Sequence, residues 1–365
     1  MRKRINFFII LFVLTANVIY SFSLFSKENE RDENEGFLPI PVVLYTPETG
    51  IAGGLAFMYF HNPDANNEKI KPNVIKSSVL YTEKNQIKAG IRSERYFNGN
   101  SMKLELGLDY EKMPLFFYGI GANTPSSNEE LYSMLKYGGK GMFIAKTCPD
   151  FYYGGIFEYY QFEMLEKKKA GILDCENILG SRGTIVSGIG MIANWDSRNR
   201  LFFPTDGAYW ESRMMLYSGA YGSEYDFLLL DMDYRRYIGL GGRNVLALQG
   251  ILKSRFGDVP FQRKAHIGGT DMMRGYYQGR YIDEQYIAYQ TELRYHIWWR
   301  FAGTVFGSIG QLAPKINKFS THNLKLAAGF GFRLLVDRDE LLFLRADIAF
   351  TEFGHQLYLE ALEPF

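Results

Sequence analysis

The sequence predicts an all-β fold: a transmembrane antiparallel β-barrel of about sixteen strands. Three observations predict it. Apolar and polar residues alternate with period two in many short segments, the polar faces carry charge in strand after strand, and the chain opens with the layout of an export signal. Side chains alternate across a strand, so one apolar and one charged face suit lipid outside and a wet lumen inside. A soluble sandwich would need its inner faces filled. No stretch beyond the N-terminal run approaches the roughly 18 consecutive apolar residues of a membrane helix. The 365 residues are 16 % aromatic, with 26 Tyr, 29 Phe and 37 Gly, a mixture suited to strands, aromatic anchors and tight turns. A formal net charge of +1 offers no bulk attraction for nucleic acid.

Residues 1–23 read as a signal peptide: the basic Met1–Arg4, an apolar run from Ile5 to about Tyr20, then small residues at Ser21 and Ser23. No cysteine follows the run, which argues against a lipoprotein signal. Residues 24–37 read as a disordered periplasmic spacer, charged and nearly devoid of apolar residues between Lys27 and Gly36. Residues 38–365 form the barrel domain. Strands are expected near Pro39–Tyr45, Ile51–Phe60, Asn73–Tyr81, Gln86–Tyr96, Ser101–Glu111, Leu131–Ala145, Phe151–Glu163 and Gly183–Trp195. The second half continues with Gly207–Tyr217, Tyr225–Tyr237, Asn244–Phe256, Tyr286–Ile297, Phe301–Leu312, Asn323–Leu335, Leu341–Thr351 and His355–Phe365. In Tyr286–Ile297, for example, Ile287, Tyr289, Leu293 and Tyr295 share one face, and Gln290, Glu292, Arg294 and His296 the other. With a periplasmic N-terminus, short turns such as Phe97–Asn100, Gly239–Arg243 and Asp337–Asp339 fall inside. The longer connections Met113–Glu130, Leu165–Ser181 and Gly257–Asp283 fall outside, the expected asymmetry. Cys148 and Cys175 then lie at opposite ends, and no disulfide is expected between them.

The segment Gly268–Asp283 breaks the alternation. Its centre, Met273-Arg274-Gly275-Tyr276, sets one arginine beside a glycine and among bulky side chains. A guanidinium carries a fixed fork of donors into a polar cavity, and the glycines at 268, 269, 275 and 279 permit the fold-back. It reads as a long ordered loop between strands 11 and 12.

On these residues the chain resembles the BamA/TamA-type outer-membrane assembly and secretion superfamily, also called the bacterial surface antigen family. Met273-Arg274-Gly275-Tyr276 is similar to that family's Val-Arg-Gly-Phe/Tyr loop motif, with Met in place of Val. A strand-turn hallmark is matched by Asp196, Arg198, Phe203, Pro204 and Gly207, and Phe117–Gly121 resembles the third external loop. Phe365 matches the terminal aromatic that such barrels present to the barrel-assembly machinery. The resemblance implies that Arg274 tucks into the lumen as a lock and pairs with acids on strands twelve and thirteen. Glu292 is the first partner expected, Ser308 stands where the family carries an acid, and Asp347 is a substitute two strands away. It also implies an outer-membrane location, contact with outer-membrane lipid, and a role in inserting or translocating protein substrates. The chain looks like a minimal member without the periplasmic POTRA modules.

Nothing points to catalysis: there is no Gly-x-Ser-x-Gly elbow, Walker loop or His-Glu-x-x-His, and the five histidines lack metal-ligand spacing. No cofactor or metal is expected. Three functions stay open: assisting unfolded barrel clients, a passive pore, and a lipid-handling barrel with a separate periplasmic partner. The first draws on Pro39, Pro41, Pro47 and Pro364, since prolines cannot donate to a ladder and would leave the seam between first and last strands weakly zipped.

Overall fold

The computed structural model describes residues 35–63, 70–175, 177–337 and 341–365. The residues read as a signal peptide and most of those read as a spacer lie outside these residues. Sixteen antiparallel strands close into one barrel. They are β1 Glu35–Thr46, β2 Gly50–His61, β3 Asn73–Thr82, β4 Ile87–Phe97, β5 Met102–Phe117, β6 Glu130–Cys148, β7 Phe151–Glu166 and β8 Gly183–Asp196. The circuit continues through β9 Gly207–Tyr217, β10 Phe227–Gly239, β11 Val245–Gly257, β12 Gln285–Trp298, β13 Phe301–Ala313, β14 Lys325–Asp337, β15 Leu342–Thr351 and β16 Gly354–Ala361. Each pairs with its sequence neighbours, and β16 returns to β1.

Several boundaries differ from the expected ones. β1 starts at Glu35, so Glu35–Phe37 belong to the wall and not to the spacer. β5 runs on through Met113 to Phe117, residues placed above in a loop, because they pair in register with Glu130–Met134 of β6. Cys148 closes β6 at the end of the barrel where β1 begins and β16 ends, and Cys175 lies in a connection at the opposite end.

The alternation resolves as expected. Ile287, Tyr289, Leu293 and Tyr295 are exposed on the outside of β12, while Gln290, Glu292 and Arg294 are buried on its inner face. Inward charges pair across the lumen wall: Arg213 and Arg255 both hold Asp231, and Lys103 meets Glu94 and Glu105. Two apolar clusters cap this polar interior. One, around Phe117, Tyr132, Tyr217 and Phe261, lies toward the loop end. The other, Phe203, Tyr237, Val245, Phe343 and Phe365, lies at the terminal end.

The β1–β16 closure is thin. β1 pairs with β2 over all twelve of its residues, but with β16 only through Tyr45 and Leu359 among the described residues. Leu362, at φ 70°, turns the chain inward, and its N–H donates to the carbonyl of Phe343. The prolines sharpen the picture. Glu83 N–H donates to the carbonyl of Ile51 and Ile51 N–H to the Glu83 carboxylate, so the polar groups of Ile51 face β3. Its register partner Tyr45 therefore turns its own N–H away from β2 and toward β16. By alternation so do positions 43, 41, 39 and 37. Two of these are Pro39 and Pro41, which have no N–H to give.

Candidate functional site

The connection between β11 and β12, residues 258–284, folds back into the barrel. Ala265–His266 pairs with Ile282–Asp283 as a short internal hairpin. The tip beyond it packs Met273 and Tyr276 against Tyr286, Ala288, Leu312 and Ala327 of the wall. Met273 has φ 56° and Gly275 φ 106°, which reverse the chain over the arginine between them. Glycine is required at 275 for a second reason: a Cβ there would lie 2.6 Å from the Thr351 side chain.

Arg274 is 1 % exposed. One guanidinium nitrogen reaches Glu292 of β12 and another Asp347 of β15, the latter at 2.5 Å. The guanidinium also stacks on Phe306 of β13, 3.6 Å from the ring centroid. Neither acid belongs to Arg274 alone. Glu292 also accepts from Arg294 at 2.8 Å, and Asp347 accepts from Arg333 at 2.5 Å. Five charges buried this deeply are tolerable only because each is paired and hydrogen-bonded.

Ser308, which stands where the resemblance expects an acid, does not join this network. Its hydroxyl approaches the carbonyl of Ala327 at 3.5 Å, and Arg274 Nε is left without a hydrogen-bond partner. Asp347 supplies the second carboxylate from the far side instead. Alternation puts Asp347 on the inner face of β15, and barrel curvature brings it opposite β12; spacing along the chain does not reveal this.

The network continues to the C-terminus. Arg333 clamps the Glu363 carboxylate through Nε at 2.9 and 3.0 Å, and Arg294 Nη2 donates to the main-chain oxygen of Phe365 at 2.8 Å. Sequence reasoning put Arg294 on the polar face but did not join it, Arg333 or Glu363 to this network. The first two carried a signal, since each is an arginine on the inner face of a strand. Glu363 carried none, because it lies past the turn at Leu362.

The strand-turn residues form a plug at the terminal end. Arg198 makes a bidentate pair with Asp196, both bonds 2.8 Å, and lies over the Tyr209 ring. This fork holds the 197–206 connection while Phe203, followed by buried Pro204, packs on Phe343 at 4.8 Å between centroids. Gly207, at φ 101°, starts β9 against the carbonyl of Ser197 with no room for a Cβ. The segment is thus more than a connecting turn, because its Phe203 packs inside the barrel on Phe343. Phe365 is 4 % exposed and part of the same cluster, so in the folded barrel it is an internal packing residue and not a displayed terminus.

Loop contacts extend to the third external connection. Gly121 N–H donates to the carbonyl of Ile282 at 2.7 Å. Arg280 donates to the Thr124 carbonyl and lies over the rings of Tyr118, Tyr281 and Phe353. No group of metal-binding side chains occurs among the described residues.

No curated protein sequence matches the chain. Solved structures do. BamA from Haemophilus ducreyi lacking POTRA domains 1–3 superposes with a TM-score of 0.62 at 13 % identity, covering 91 % of this chain and 71 % of that one. CdiB from Acinetobacter baumannii superposes with a TM-score of 0.57 at 10 % identity, covering 91 % of this chain and 60 % of that one. At such identities the likeness is one of fold. The family model for the Omp85 superfamily domain matches residues 71–356, most of the barrel, and the chain therefore belongs to the Omp85 superfamily, as a β-barrel of the bacterial outer membrane.

Proposed function

We propose that this protein assists insertion or translocation of protein substrates at the outer membrane by opening at the β1–β16 seam. The observation that carries the reading is the single register pair, Tyr45 with Leu359, where every other neighbouring pair of strands is zipped over eight or more residues. A seam with few hydrogen bonds opens at low cost, and an open seam offers unpaired backbone groups to an incoming strand. The turn at Leu362 takes β16 out of the wall beyond Ala361, and Pro39 and Pro41 lie on the β1 edge that this leaves uncovered. Outer-membrane lipid, unfolded barrel clients and a separate periplasmic protein are the partners this reading calls for. The passive-pore reading has less support, because the long loop, the Phe203 plug and the C-terminal tail all occupy the lumen.

The test is the rate at which an unrelated unfolded barrel protein inserts into liposomes with and without this protein. Acceleration by the wild-type barrel supports the reading. Verified folding with no acceleration sinks it, and raised membrane conductance in the same liposomes would favour a pore.

A further inference from the structure

We propose that the 258–284 loop is a clasp that holds the seam shut from inside, anchored on β16 and detachable from the β1 side. The inference rests on the seam being where the barrel opens.

On one side the loop grips the last strand and its tail. Gly275 N–H donates to the Tyr358 hydroxyl at 2.8 Å. Arg345 donates to the carbonyl of Thr270 at 3.2 Å and pairs with Glu360. Through Asp347 and Arg333, Arg274 is linked to Glu363, and through Glu292 and Arg294 to Phe365. β16 and the tail are thus held at Tyr358, Glu360, Glu363 and Phe365 by the loop and the buried charges around it. The hydrogen bonds that β1 does not supply on the outer edge of β16 are replaced by contacts from within.

Three residues further along, the loop crosses to the other side. Gln278 N–H donates at 2.8 Å to Glu48, buried in the turn between β1 and β2. Tyr277 packs edge-on against Phe116 of β5 at 5.7 Å, and Lys84, from the β3–β4 turn, lies over the same ring. Gly275 and Gln278 therefore tie together two elements that the wall joins at only one register pair.

The two attachments are unequal. The β16 side rests on several buried charge-assisted bonds. At the β1–β2 turn the loop makes one bond, to the Glu48 carboxylate; its ring contacts and its bonds through Ile282 and Arg280 to the β5–β6 connection lie further from the seam. Attachments in series yield at the weaker one, so opening separates Glu48 from Gln278 and leaves the loop seated on β16.

The experiment uses the full chain refolded in nanodiscs, with Cys148 and Cys175 replaced by Ser and spin labels at Val43→Cys and Ala361→Cys across the seam. Pulsed EPR reads the separation, and hydrogen exchange reads protection of residues 270–276. Glu48→Ala is expected to raise the long-distance population roughly tenfold, the effect of losing one bond to a charged acceptor. Protection of 270–276 is expected to stay as in the wild type. Glu48→Gln, which keeps an acceptor, should give a smaller shift, and Lys264→Ala, whose partner Glu284 is in the same loop, should give none. An unchanged distance in a folded Glu48→Ala barrel overturns the clasp. So does loss of protection at 270–276 together with widening, since the loop would then not travel with β16. Widening as expected but with unchanged client insertion leaves the clasp standing and overturns the seam as the insertion route.

Discussion

Replacing Arg274 with Ala removes the one cation that joins Glu292, Asp347 and the Phe306 ring. The loss comprises two bonds to carboxylates and a cation–π contact at 3.6 Å. Breaking a buried ion pair by deleting one partner costs about 3–5 kcal/mol, because the other charge stays buried. Here the acids are not orphaned: Glu292 keeps Arg294, and Asp347 keeps Arg333. That places the expected cost near the lower end, about 3 kcal/mol, or roughly a hundredfold shift from docked to undocked loop. The barrel wall should persist, since its ladder is independent of the loop. The assay is limited proteolysis of the loop alongside single-channel conductance, with heat-modifiable mobility verifying the barrel. Faster cleavage within 258–284 and higher conductance are expected. Unchanged cleavage and conductance in a folded barrel would refute the reasoning that this guanidinium holds the loop in the lumen.

Three further outcomes are expected. Ser308→Asp should strengthen docking and slow loop proteolysis, because the buried Arg274 Nε lacks a partner and Phe306, on which it stacks, is the preceding inward position of β13; accelerated proteolysis would show that the new carboxylate cannot reach it. Gly207→Ala should lower stability by about 2 kcal/mol, from its φ of 101° and the crowding carbonyl of Ser197, read as a lower temperature of heat-modifiable unfolding. The pair Pro39→Ala and Pro41→Ala should restore donors to the β1 edge opposite positions 363 and 365, which turn inside and leave them to an incoming strand; at about 1 kcal/mol for each bond made, client insertion should speed up, and slower insertion would reverse this reasoning.

Much of the wall was legible in the sequence because strand side chains alternate. Ile287, Tyr289 and Leu293 against Gln290, Glu292 and Arg294 define two faces whatever the neighbours are, and sixteen such segments imply closure. The loop was legible from its glycines and Arg274. Segment ends were less so: Met113–Phe117 read as a loop and became strand, since pairing with β6 outweighed local composition.

What only the tertiary structure decided is which charges meet. A sequence places Glu292, Arg294, Arg333 and Asp347 on inner faces but gives no distance across a lumen, so Asp347 stood as a distant substitute and Arg294 and Arg333 were not joined to the acids. Glu363 and Phe365 fell within the expected last strand His355–Phe365, yet the turn at Leu362 carries both inside. The sequence determined face and order, because both are local properties of a strand. Curvature, register and one residue with positive φ determined the partners, because these set the path of the chain in three dimensions.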